Sequence, residues 1–158
     1  MQVVEREAMH LSGLTTRGPL SELPTTVPPL WREVFARHDG EAVLAELSEE
    51  PGDGLHVITV GVLSTVRARE GAVPDAEVVV VPAGRWLHHE HRGPLAAIGR
   101  TYGEMFTYAR TAGLRVTDLK LDVGYRPDGA EDKHDLFLLV AQGHGDSRDV
   151  VPEVSAAP

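Results

Sequence analysis

Two tryptophans, three tyrosines and three phenylalanines are the residues best suited to ligand chemistry here, because aromatics make up only 5% of the chain. Their rings give flat contact area and a π face that attracts cations. Trp31, Trp86, Tyr102, Phe106, Tyr108 and Tyr125 form most of this set. Phe35 and Phe106, both mid-helix on an apolar face, read first as core packing. Trp31, Trp86 and Tyr125 divide evenly between pocket and core, since ligand sites are mostly apolar with few polar groups. Glu104 lies among Tyr102, Met105 and Phe106. A carboxylate in that setting is a candidate cation partner or general acid with a raised pKa. The alternative is a solvated residue on the helix flank, a role that Glu33 in the matching segment would share.

His88-His89-Glu90-His91 invites a metal reading, because His89 and His91 share one face of a strand. A third ligand of suitable spacing is not evident, although His10 approaches if the two halves of the chain pair. A polar strand end leading into a turn is the preferred reading, and no metal or other cofactor is assigned. Nucleophilic catalysis finds no support: there is no cysteine and no Gly-x-Ser-x-Gly elbow. The glycines are scattered at turns, and none forms a phosphate-cradling loop.

Length and composition narrow the field further. The 158 residues fit one domain or two fused halves, and 42% hydrophobic residues suffice for a core. A net charge of −9 opposes a phosphate-binding surface, so nucleic acid is not an expected partner. The first residues lack a signal peptide's charged start and apolar run, and the longest apolar runs are strand-sized. A cysteine-free, acidic chain with no membrane segment is expected in the cytoplasm. The sequence leaves monomer and homodimer open.

The elements that must position these residues come as a repeat. Val3-Val4 to Arg17-Gly18-Pro19-Leu20 lies over Val78-Val79 to Arg92-Gly93-Pro94-Leu95, with Arg-Gly-Pro-Leu identical. Leu30 to Phe35 then lies over Thr101 to Phe106 if a short insertion around Pro24 to Pro29 is allowed in the first copy, with Pro29 in the first helical turn. Tyr102, Met105, Phe106 and Ala109 recur at helical spacing, as do Trp31, Val34, Phe35 and His38. Two strands close each half: about 42–47 and 55–64, then about 119–125 and 135–142. Pro51-Gly52-Asp53-Gly54 and Pro127-Asp128-Gly129 are the hairpin turns. The expected fold is α+β: duplicated βαββ units forming an antiparallel sheet with two main helices on one face. The first half covers about 2–65, a linker 66–75 and the second half about 76–142, with 143–158 a disordered tail. Alternation places Leu121, Val123 and Tyr125 on one face of their strand and Asp122 on the other.

A βαββ duplication whose second copy carries Val81-Pro82-Ala83-Gly84-Arg85-Trp86 and His91-Arg92-Gly93-Pro94 before a Tyr-containing helix resembles the GyrI-like effector-binding family, over about residues 2 to 142. The resemblance implies a cleft between the helices that takes flat apolar or cationic compounds, here as a standalone binding module for drug or toxin sensing or sequestration. It places His91 in the turn. Many such regulators set a buried acid two positions before a strand tyrosine; with Tyr125 as that tyrosine, the position holds Val123. Asp122, Glu46 and Glu104 are then the substitute acids. The ligand set implied is Trp31, Glu46, Trp86, His88, Tyr102, Glu104, Phe106 and Tyr125. Some relatives hydrolyse cyclopropane-containing genotoxic natural products. On that alternative Glu104 or Glu46 activates water and Tyr125 or Tyr102 polarises the substrate. A third alternative is protein interaction, as in the family's gyrase-inhibiting member.

Overall fold

The computed structural model describes residues 1–38, 40–65, 76–127 and 133–143. Eight strands form one antiparallel sheet: β1 (Gln2–Arg6), β2 (Met9–Pro19), β3 (Leu44–Glu49), β4 (Leu55–Ser64), β5 (Glu77–Val81), β6 (Gly84–Arg92), β7 (Val116–Tyr125) and β8 (Lys133–Val140). Helices α1 (Leu23–Arg37) and α2 (Ile98–Thr111) each follow a short 3-10 turn. This is the expected α+β duplication. The linker 66–75, most of the tail and the centre of the second hairpin turn lie outside the described residues.

The opening strand of each half is broken in two. Glu7-Ala8 separates β1 from β2, and Pro82-Ala83 separates β5 from β6. The short pieces are exchanged between halves: β1 pairs with β6, and β5 pairs with β2. The two registers are equivalent, since Val4 faces Trp86 and Val79 faces Leu11. Strand order across the sheet is β1-β6-β8-β7-β3-β4-β2-β5. A two-residue link reaches only about 10 Å, yet β1 and β2 lie towards opposite ends of this order. The sheet is therefore curled until its ends are close. Gly13 and Gly61, paired across β2 and β4, allow a tight approach there: a Cβ on Gly13 would stand 1.9 Å from the Val60 carbonyl oxygen.

The curl has two faces with different contents. Its inner face is filled by Leu11, Ala45, Leu47, Leu63, Val81, Trp86, Leu121 and Phe137, with no helix among them. On the outer face α1 packs through Trp31 and Val34 on Leu44, Ile58 and Val60. There too α2 packs through Tyr102, Met105 and Ala109 on Leu87, Leu136 and Leu138. One helix thus covers the β2–β4 side and the other the β6–β8 side. The central pair β3–β7 lies between them.

The helices also correct the sequence alignment. The shift that lays Arg17 on Arg92 lays Leu23 on Ile98, the first residues of α1 and α2, so no insertion is needed. Trp31 then corresponds to Phe106 and Val27 to Tyr102. The prolines misled because they break helix interiors. Here Pro24 occupies the first turn, and Pro28 and Pro29 lie inside the helix, whose start precedes Pro29 by six residues. The carbonyls they leave unbonded belong to exposed Pro24 and Thr25 and face water. Among the described residues no helix is long and apolar enough to cross a membrane.

Candidate ligand-binding cleft

Because α1 and α2 diverge over β3 and β7, a cleft of about 940 Å³ opens between them. Its walls are mostly apolar, with Leu23, Val27, Trp31 and Phe35 from α1 and Ile98, Tyr102 and Phe106 from α2, and Arg32 and Arg126 also line it. Trp31 stacks on Tyr125 with ring centroids 4.1 Å apart and on Phe35 at 5.1 Å. Phe35 and Phe106, read first as core, line the cleft. Their positions put them on the flank of each apolar stripe, half-buried, while Val34 and Met105 take the centre.

The floor is polar and comes from β3 and β7. Glu46 and Asp122 face each other across the two strands, and both side chains line the cleft. Trp31 Nε1 donates to Glu46 Oε2 at 3.2 Å. Burial pushes the Glu46 carboxyl up to about 7; the Trp31 hydrogen bond opposes the shift and nearby Asp122 adds to it. Asp122 accepts from the Tyr125 hydroxyl at 2.8 Å and from buried His134 Nδ1 at 2.6 Å. Tyr102 donates to the Leu121 carbonyl at 3.2 Å. Burial, with these two acids close by, raises both tyrosine hydroxyls well above the ordinary value, so they are held as donors.

Asp122 and Tyr125 were expected on opposite faces. They share one because β7 bulges: Val123 pairs with Ala45 and Tyr125 with Leu44, leaving Gly124 as the extra residue. Gly124 has φ +133°, which a side-chain-bearing residue rarely adopts. The bulge returns Tyr125 to the face of Asp122. An acid three positions before the tyrosine thus reaches the cleft, and Val123 packs towards the inner core instead.

Of the eight residues proposed from sequence, Trp31, Glu46, Tyr102, Phe106 and Tyr125 come together here. Three do not. Trp86 is 0% exposed in the inner core, because strand alternation turns it away from Leu87 and the helices. His88 stacks on Phe137 and bonds Asp135 at 2.8 Å, away from the cleft lining. Glu104 is solvent-facing on α2, its side chain 59% exposed beside Arg100. It is therefore no candidate acid in this cleft. Sequence reasoning missed Lys120, Ser48 and His56 as lining residues, and held Asp122 only as a substitute acid on the face opposite Tyr125. Asp122 and Lys120 alternate on one strand, a signal that was present but hidden by the bulge. His91 bonds Thr101 Oγ1 at 2.8 Å and the Pro94 carbonyl at 3.2 Å, tying the Arg-Gly-Pro turn to α2. Among the described residues no group of three or more His, Asp or Glu side chains is placed to hold a metal ion.

A model of the GyrI-like small molecule binding domain matches residues 1–140. This chain belongs to the GyrI-like family. No curated protein sequence matches it. Solved structures with the same fold include SAV2435 bound to tetraphenylphosphonium, 11% identical with a TM-score of 0.66, covering 89% of this chain and 93% of that one. The EcmrR C-terminal domain is 18% identical with a TM-score of 0.60, covering 89% and 96%. A hydrolase from Listeria innocua is 15% identical with a TM-score of 0.56, covering 89% and 90%. At these identities the likeness is one of fold. The GyrI-like chain is a small-molecule-binding domain, and its cleft lies between the two helices above β3 and β7.

Proposed function

We propose that this cleft binds hydrophobic cationic small molecules that carry aromatic rings, as a sensor or sequestering protein. The observation that carries the reading is the pairing of an aromatic wall with two acids on one floor. Trp31, Tyr125, Phe35 and Phe106 offer π faces, and Glu46 and Asp122 offer negative charge at their foot. Desolvated charge is attracted strongly by both, while water competes poorly in an apolar cleft. SAV2435, which shares the fold, was solved with a lipophilic cation. The acidic, cysteine-free composition fits a cytoplasmic protein acting without nucleic acid.

Titration with tetraphenylphosphonium, followed by tryptophan fluorescence, tests this. Saturable quenching is expected, and it should vanish in Trp31→Phe because the remaining Trp86 lies in the inner core. Absence of quenching and of any thermal shift would overturn the reading.

The Glu46 carboxyl also supports hydrolysis as a second reading. A carboxyl titrating near 7 is matched to taking a proton from water at neutral pH, and Tyr125 stands beside it as a donor. In this reading Glu46, of the two glutamates expected from sequence, activates water, and Tyr125, of the two tyrosines, polarises the substrate. Incubation with a strained cyclopropane compound and mass spectrometry checks it: a product heavier by one water supports turnover, and unchanged compound leaves binding alone.

A further inference from the structure

The floor of the cleft is not uniformly acidic. On either side of the Leu47–Leu121 pair the two central strands set Glu46 opposite Asp122 and Ser48 opposite Lys120. The repeat makes the two acids counterparts, Glu46 opposite Val60 and Asp122 opposite Leu136, whereas Lys120, opposite Leu138, has Leu44, opposite Val62, as its counterpart. Glu46 and Asp122 form one cross-strand pair, and Ser48 and Lys120 form the next one that faces the cleft.

Lys120 is held in an unusual way. Its ammonium lies 6.0 Å from the centre of the Tyr102 ring and 5.9 Å from that of Phe106, against the α2 wall. Among the described residues no carboxylate lies within ion-pair distance of it. Asp118, Glu50 and Glu46 act on it only at longer range, and Asp118 is engaged by the Glu50 backbone N–H at 2.6 Å. Burial lowers the Lys120 pKa. A half-buried ammonium with aromatic neighbours but no anion repels a simple cation and attracts a carboxylate.

We propose that the cleft selects amphoteric ligands: flat aromatic compounds with a basic group for Glu46 and Asp122 and a carboxylate, about 7 Å away along the strand, for Lys120 and Ser48. This rests on the cleft-binding reading and specifies which cations it prefers. The carboxylate accepts from the Lys120 ammonium and the Ser48 hydroxyl, while the ring lies between Trp31 and Phe106.

The test compares 9-aminoacridine-2-carboxylate with its 2-carboxamide, by the anisotropy of the acridine, in the wild-type protein and Lys120→Met. The ring cation is the same in both, and only the second group's charge differs. The wild type should bind the carboxylate about tenfold more tightly than the carboxamide. That preference should fall to about one in Lys120→Met, with a thermal melt verifying that the variant is folded. Equal affinities in the wild type overturn the proposal and leave cation binding standing, whether or not the variant folds. A preference that survives in the folded variant overturns the role of Lys120. If neither compound binds, both the proposal and the cleft-binding reading fall.

Discussion

Glu46 sits where three influences meet: burial between helices, a hydrogen bond from Trp31, and Asp122 across the strand pair. Its folded pKa of about 7 exceeds the unfolded value of 4.5. A raised pKa means that the fold favours the neutral acid. The associated stability is fully present below about 4.5 and is lost as pH rises through about 7. Glu46→Gln, which stays neutral, should therefore match the wild type near pH 4 and exceed it by up to about 2–3 kcal/mol at pH 8. Urea unfolding at both pH values measures this. Parallel stabilities across the range would show that the carboxyl is not desolvated. The ionised form that burdens the fold is the one that attracts a cation, so a ligand is expected to offset the strain. Glu46 was legible from the sequence as a candidate, whereas Glu104 was not separable from it. Glu104 lies among aromatics in the chain and Glu46 on the strand that matches the one carrying Asp122, and only the helix's orientation turns Glu104 to water.

At the scale of elements, one glycine decides which side chains meet. Without the bulge at Gly124, strict alternation would place Tyr125 on the face opposite Asp122. A Cβ at that position would stand 2.8 Å from the Lys133 carbonyl oxygen, on a backbone with φ +133°. Gly124→Ala should therefore cost about 2 kcal/mol or more in chemical denaturation. It should also weaken binding of tetraphenylphosphonium, by disturbing Tyr125, on which Trp31 stacks. A variant with unchanged stability and affinity would contradict the bulge's role. Bulges carry no dependable sequence signature, since glycine serves many turns. The α2 stripe of Tyr102, Met105 and Ala109 was legible because helical spacing there matches burial directly. The start of α1 was not, because prolines ordinarily end helices and only solvent-facing carbonyls tolerate them here. Trp86 was ambiguous for a different reason. A tryptophan two residues into a strand has a face only once the register is known.

For the whole molecule, the duplication explains both the cleft and the closed inner core. Each half contributes one helix to the outer face, one strand to the floor, and one short strand to the other half. The repeat was visible in Arg-Gly-Pro-Leu, but the exchange of β1 and β5 was not. A two-residue break such as Pro82-Ala83 looks like any strand end, and pairing across halves is a long-range event. The buried apolar cluster around Trp86 packs the inner face of the curled sheet, behind the floor on which Glu46 and Asp122 stand. On this floor, Glu46 and Asp122 supply the negative charge proposed to hold a cationic ligand. Calorimetric titration of the wild type and Glu46→Gln with tetraphenylphosphonium at pH 8 tests it most directly. Saturable binding is expected in the wild type, weakened about tenfold in the variant. Equal affinity in the two proteins, or no heat of binding in the wild type, would contradict it.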